Sequence, residues 1–171
     1  DKAVVLLIDN LRFDQWRTIQ PIINDYYLTM EENVYCSILP TSTQYARNAI
    51  FSGLMPASIQ EIYPDLWLND DEEGNKNEFE EDLLKYQLKS YGLQTKLAFE
   101  KIYNNRMGEK IIENLSNILQ NDLVVLVYNF VDMLSHANTD LEMIRELAVN
   151  DSAYRSLTLS WFRHSNIIEL L

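Results

Sequence analysis

The runs Val4-Val5-Leu6-Leu7-Ile8-Asp9 and Leu123-Val124-Val125-Leu126-Val127, the second followed by Asp132-Met133-Leu134-Ser135-His136, decide the fold. A short apolar run of β-branched and leucine residues reads as a strand buried on both faces of a parallel sheet. In open α/β sheets, ligands bind in the crevice beyond the carboxyl ends of such strands. A carboxylate stands there after the first run, and a carboxylate with a histidine four residues on stands after the second. A hard oxygen ligand from one strand end and an Asp/His pair from another are what a divalent-metal site needs.

Outward from these runs the periodicity keeps changing. Residues 14–23 place Trp16, Ile19 and Ile23 at helical spacing and predict a crossover helix after the strand at 3–8. Residues 26–30 and 34–38 alternate on either side of Glu31-Glu32-Asn33, which predicts a hairpin or two short strands. Pro40 ends that segment, because proline cannot donate to a ladder. Thr41-Ser42-Thr43 offers cap hydroxyls to a helix over 44–51, stopped by Gly53 and Pro56, with a short helical turn over 58–63. Phe79, Leu83, Leu84 and Leu88 make 78–91 an amphipathic helix ending at Gly92. A strand over 94–99, a helix over 106–119, a central strand over 122–129 and helices over 139–149 and 152–168 complete the pattern. Strand and helix recurring in turn predict a three-layer α/β/α fold with a mostly parallel central sheet. The whole of 1–171 reads as one incomplete domain, without a repeat.

Composition narrows the function. With 171 residues, 47% of them hydrophobic, the chain can bury a real core. No apolar stretch approaches the ~18 residues that span a bilayer, and no leader pattern is present, so no membrane role is expected. Asp1-Lys2 opens directly on a strand and Leu170-Leu171 closes in apolar sequence, so a piece of a longer protein is expected. Fourteen basic against 26 acidic residues give a net charge of −12, which opposes a broad grip on nucleic acid. A phosphate substrate would need metal ions to offset that field locally. Residues 69–78 carry part of the excess and read as a solvated loop. The single cysteine, Cys36, excludes an internal disulfide and fits a reducing, cytoplasmic compartment. In the alternating 35–39 it reads as a buried small hydrophobe. Of four glycines none forms a Gly-x-Gly-x-x-Gly run after the first strand, which argues against a Rossmann nucleotide binder.

Four positions could carry chemistry. Asp9, at a strand end, either holds a metal or caps the following helix. Thr41 opens a helix, where backbone N–H groups attract anions. Its hydroxyl is a nucleophile only if a metal or base lowers its pKa, and plain capping is the other reading. Asp132 and His136 share one face if their segment is helical, as two ligands of one metal must, or else form a surface pair. His164 has no partner at metal spacing and reads as a surface or core histidine. Together, these strand-end groups suit phosphoryl or sulfuryl transfer with two metal ions.

Leu6-Leu7-Ile8-Asp9-Asn10-Leu11-Arg12, Leu39-Pro40-Thr41-Ser42-Thr43 with Arg47-Asn48-Ala49-Ile50-Phe51-Ser52-Gly53-Leu54, and Asp132-Met133-Leu134-Ser135-His136 resemble the alkaline phosphatase superfamily. Within it they are similar to the PglZ domain, above all that of PorX-type two-component response regulators of Bacteroidetes. The resemblance implies an alkaline-phosphatase-like zinc hydrolase with two metal ions. Asp9 and Thr41 would belong to one zinc, with Thr41 also the nucleophile, and Asp132 and His136 to the other. It implies in-line attack by Thr41 on phosphorus, a phospho-threonine intermediate and its hydrolysis by water. Asn48, or its rival Arg47, would steady a phosphate oxygen, unless either anchors the helix instead. The implied substrate is a phosphate ester, a nucleotide or oligonucleotide diester before a monoester.

The family carries a further Asp-His pair and a later histidine, whereas the only histidine after position 136 here is His164, preceded by Arg163. The chain is therefore expected to be truncated, metal-free or partly loaded, and inactive by itself. The alternative is a catalytically silent regulatory module of the response regulator, forming a homodimer or binding a regulatory protein. Its tyrosines and the Trp161-Phe162 segment would make that interface, unless they are core.

Overall fold

The computed structural model describes residues 2–129 and 150–171. In chain order the elements are β1 (Ala3–Ile8), α1 (Phe13–Ile23), α2 (Thr43–Ser52), α3 (Pro56–Ile62), a 3-10 turn (Pro64–Leu66), α4 (Glu80–Ser90), β2 (Leu97–Ile102), α5 (Asn105–Glu113), α6 (Leu115–Ile118), β3 (Leu123–Tyr128), α7 (Asp151–His164) and α8 (Ile167–Leu170). The fold is mixed α/β on a parallel sheet, as expected, and it divides into two compact units. One joins the residues up to Val34 with those from Leu97 onward; the other is Tyr35–Lys96.

In the first unit the strand order is β1-β3-β2, all parallel. Leu123 pairs with both Ala3 and Leu97, and Tyr128 with both Ile8 and Ile102, so β3 is the shared centre. Five of its six residues are buried, which is why the sequence there is uninterrupted Leu, Val and Tyr. Val124, Leu126 and Tyr128 alternate onto one face. There they join Ile19 of α1, Ile111 of α5, Ile118 of α6, Phe162 of α7 and Ile167 of α8 in one apolar cluster. Val125 and Val127, on the opposite face, are equally buried.

Two polar arrangements lock this packing. The α1 and α7 helices are joined by the buried bond from Gln15 Nε2 to Thr158 Oγ1 at 2.8 Å. At their exposed N-termini, Arg12 reaches Asp14 and Asp151, and Arg155 reaches Asp14. Tyr128 donates its hydroxyl to Asn166 Oδ1 at 2.7 Å, and Asn166 Nδ2 donates to Asn105 O at 2.8 Å. Burial pushes the Tyr128 phenol well above its ordinary pKa, so it stays a donor. Gly108 lies under this clasp, where a Cβ would stand 2.3 Å from Asn166 Nδ2.

Several expectations need correction. Beta-1 was expected to be buried on both faces, but Val4 and Val5 are exposed, because β1 lies at the edge of the described sheet. Residues 26–30 and 34–38 form no strands. Alternation supplies a pattern but no partner, and a lone hairpin is marginal in water. Glu32 instead turns back to α1, accepting from Trp16 Nε1 at 2.8 Å, from Gln20 Nε2 at 3.0 Å and from Arg17 Nη1 at 3.2 Å. Cys36 consequently is exposed, not a buried hydrophobe. The strand placed at 94–99 runs Leu97–Ile102, since pairing with β3 carries through Glu100 and Lys101. The helix over 106–119 breaks at Asn114 into α5 and α6, and that over 152–168 breaks at Ser165-Asn166. The helix expected over 139–149 lies outside the described residues.

Two measurements check this architecture. Gly108→Ala should lower urea-unfolding stability by about 1–2 kcal/mol, the overpacking against Asn166 outweighing the helix propensity gained. Asp14 is held down at about 2, first by its hydrogen bond from Arg12 and then by Arg155. A depressed carboxylate stabilises the fold above its unfolded pKa and loses that contribution as pH falls through the folded value. The stability gap between wild type and Asp14→Asn should therefore be constant above pH ~5 and close progressively towards pH ~2.

Candidate active site

Asp9 follows β1 directly and is buried. Its backbone N–H donates to Tyr128 O at 2.8 Å, so the ladder between β1 and β3 runs one residue past the strand. Asn10 then takes a left-handed conformation, φ 57°, and turns the chain toward α1. The cap of that helix is Arg12, whose N–H is met by Gln15 Oε1 at 2.8 Å, so Asp9 is not the cap residue. A buried carboxylate thus sits at the carboxyl rim of the parallel sheet, next to the tip of the central strand.

Thr41 belongs to the second unit, where it is exposed and stands before the α2 cap, Ser42. Ser42 has extended backbone but its side chain makes no capping hydrogen bond, so the plain capping expected of these hydroxyls is not observed at that residue. Gly53 ends α2 in the left-handed region at φ 67°, as its position in the sequence requires.

The buried side of α2 is polar. Gln44 Nε2 donates to Leu68 O at 2.6 Å and Asn48 Nδ2 to Lys76 O at 3.0 Å, while Asn77 Nδ2 reaches Thr43 O at 3.3 Å. Arg47 Nη2 meets Glu80 Oε2 at 2.6 Å, with side chains 5% and 0% exposed. Those bonds fasten the flanks of the acidic loop, whose middle is exposed as expected. Arg47 and Asn48 thus hold α2 to α4 and to the loop. Sequence reasoning missed Glu80, because an acidic residue in the first turn of an amphipathic helix reads as a surface group. An arginine in the middle of α2 was the signal that it needed a carboxylate.

His164 is exposed, and its Nδ1 lies 2.6 Å from Ser160 O, which fits a surface histidine. Trp161, partly buried, packs edge-on against Tyr128 at 6.1 Å and Phe162 is fully buried, so both pack with the core. Asp132 and His136 lie outside the described residues. Among the described residues no three His, Cys, Asp or Glu side chains gather to hold a metal ion. Asp9 is the one expected ligand of carboxylate type whose position is described, and a single carboxylate does not make a metal site.

Residues 1–167 match the family model described as the BREX system PglZ alkaline phosphatase-like domain. The chain belongs to the PglZ family. No curated protein matches it. Membership of PglZ carries the alkaline phosphatase-like fold and places the chain in a phosphoesterase superfamily that generally uses metal ions. No described helix is long and apolar enough to cross a membrane.

The buried pair in the second unit of this PglZ domain has a measurable weight. Removing one partner leaves an uncompensated charge in the interior, so Glu80→Ala should cost about 3–5 kcal/mol in urea unfolding. The double replacement Arg47→Met with Glu80→Leu should recover most of that loss.

Proposed function

We propose that this PglZ domain is a metal-dependent phosphoesterase that cleaves phosphodiesters of nucleotides or oligonucleotides, with Thr41 as nucleophile. The observation that carries it is the buried Asp9 carboxylate, held at the sheet's carboxyl rim through Tyr128. In parallel α/β sheets that rim is where ligands bind. Support comes also from family membership and from Thr41 standing just before a ten-residue helix.

In this reading Asp9 and Thr41 would hold one zinc ion, and Asp132 and His136 the other. The metals supply charge to offset the phosphate's repulsion from a chain of net charge −12 and to lower the hydroxyl pKa. Thr41 Oγ forms a bond to phosphorus as the bond to the departing alcohol breaks, leaving a phospho-threonine. Water then attacks phosphorus, and the Thr41 oxygen leaves with a proton. The engagement of Arg47 with Glu80 and of Asn48 with the acidic loop favours a supporting role for both over phosphate contact. The response-regulator context rests on the resemblance to PorX-type proteins, whereas the family description attaches PglZ to BREX systems. A short chain without the further Asp-His pair is taken to be inactive alone.

A regulatory module is favoured by one observation: Leu28, Met30, Tyr35 and Leu39 are all more than three-quarters exposed. Turnover separates the readings. In the full-length protein that carries this domain, Thr41→Ala or Asp132→Ala should reduce hydrolysis of a nitrophenyl phosphodiester at least ~1,000-fold with unchanged circular dichroism. A chelator should do the same, reversibly with zinc. Full turnover in Thr41→Ala would end the nucleophile assignment.

A further inference from the structure

We propose that the outward face of α1 is a docking site for a carboxylate on an extended, apolar segment of another protein, and that Glu32 fills it as an internal stand-in. The site lies wholly within the first unit. It is independent of the phosphoesterase reading.

Three donors on α1 converge on one group. Trp16 Nε1 at 2.8 Å, Gln20 Nε2 at 3.0 Å and Arg17 Nη1 at 3.3 Å all reach Oε2 of Glu32. Arg17 Nη1 also reaches Oε1 at 3.2 Å. One cation flanked by two neutral donors matches the single charge of a carboxylate better than the double charge of a phosphate. The donors are set by contacts that do not involve Glu32. Trp16 packs against the apolar cluster under the sheet, and the Arg17 guanidinium lies over the Phe13 ring at 5.7 Å. Arg17 Nη1 also donates to Gln20 Oε1 at 2.8 Å, which leaves the Gln20 amide nitrogen to donate outward. The hydrogen bond from Trp16, and then the charge of Arg17, hold the Glu32 carboxyl below its ordinary pKa. The site therefore takes the ionised form.

Its present occupant is loosely mounted. Every residue of 24–34 is exposed, and among the described residues the backbone of 28–34 makes no hydrogen bond. Leu28 is 83%, Met30 85% and Val34 65% exposed. A segment whose task was to hold the fold would bury those side chains; here the carboxylate is seated and its apolar neighbours are not. An exposed ion pair is a weak tether. An outside segment displaces Glu32 once it outcompetes an internal ligand present at an effective concentration of order millimolar. The occupant on view also defines the partner: a glutamate in extended chain, with apolar residues two positions to either side, as Met30 and Val34 stand here. Those residues would gain burial on a partner that they lack at home.

The full chain and a blocked, fluorescent peptide of residues 26–34 test this by anisotropy. Glu32→Ala vacates the site and should bind the peptide at least ~10-fold more tightly than wild type, whose own segment competes. Adding Arg17→Ala to that variant, or using the Glu32→Gln form of the peptide, should weaken binding at least ~5-fold. Both protein positions are solvent-facing, so circular dichroism should be unchanged. Absence of saturable binding, equal affinity for wild type and Glu32→Ala, or indifference to Arg17→Ala overturns the proposal. Sedimentation of the wild-type chain decides the source of the segment. A dimer that Arg17→Ala dissociates makes a second copy the occupant and overturns the separate partner. An association state that Arg17→Ala leaves unchanged agrees with it.

Discussion

The first unit depends on β3 satisfying two neighbours and two faces at once. Its six residues carry the ladder to β1 on one side and to β2 on the other, in the same register. One set of alternate side chains anchors the five described helices of that unit, and the other set is buried as well. A charged residue anywhere in 124–128 would therefore have no solvated direction to take. The edge strands are under no such demand, which is why β2 tolerates Glu100 and Lys101 and β1 leaves two valines half in water.

The same strand sets the position of the Asp9 carboxylate. Tyr128 uses its carbonyl to fix the Asp9 amide and its hydroxyl to fix Asn166, so backbone and side chain of one residue tie the rim to the last helix. In the second unit the equivalent constraint is ionic. Arg47 and Glu80 are both removed from water, and such a pair persists only where geometry and surroundings compensate for desolvation. Gln44 and Asn48 extend that polar side of α2 to the backbone of the acidic loop. The helix that follows Thr41 is thus held by directional bonds where apolar packing alone would let it slide.

Much of the fold was legible in the sequence, for physical reasons particular to each element. Strands β1 and β3 announced themselves because a run of Val, Leu and Ile is stable only between layers, and α4 because its four apolar positions repeat at 3.6 residues. Gly53 and Gly92 marked helix ends because both take positive φ. Residues 26–38 were misread because alternation describes a surface and not its partner. The break at Asn114 was invisible, since nothing in its neighbours' propensities stops a helix there. Asp9 was legible as a strand-end carboxylate, but its tie to Tyr128 was not, because that contact joins positions far apart in the chain. Arg47 and Asn48 were read as phosphate contacts from the resemblance, while their partners Glu80 and the Lys76 carbonyl lie about thirty residues on and were not legible from spacing.

The aromatic residues give each unit its own optical signature. Trp67 is buried in the second unit at 5.7 Å from Tyr45, whereas Trp161 and Trp16 belong to the first, one edge-on to Tyr128 and the other hydrogen-bonded to Glu32. With three tryptophans in the chain, replacing Trp67 by phenylalanine leaves fluorescence that reports on the sheet alone. Keeping only Trp67 reports on the helical insert alone. Melting curves from the two would show directly whether the halves of the molecule come apart together or in succession.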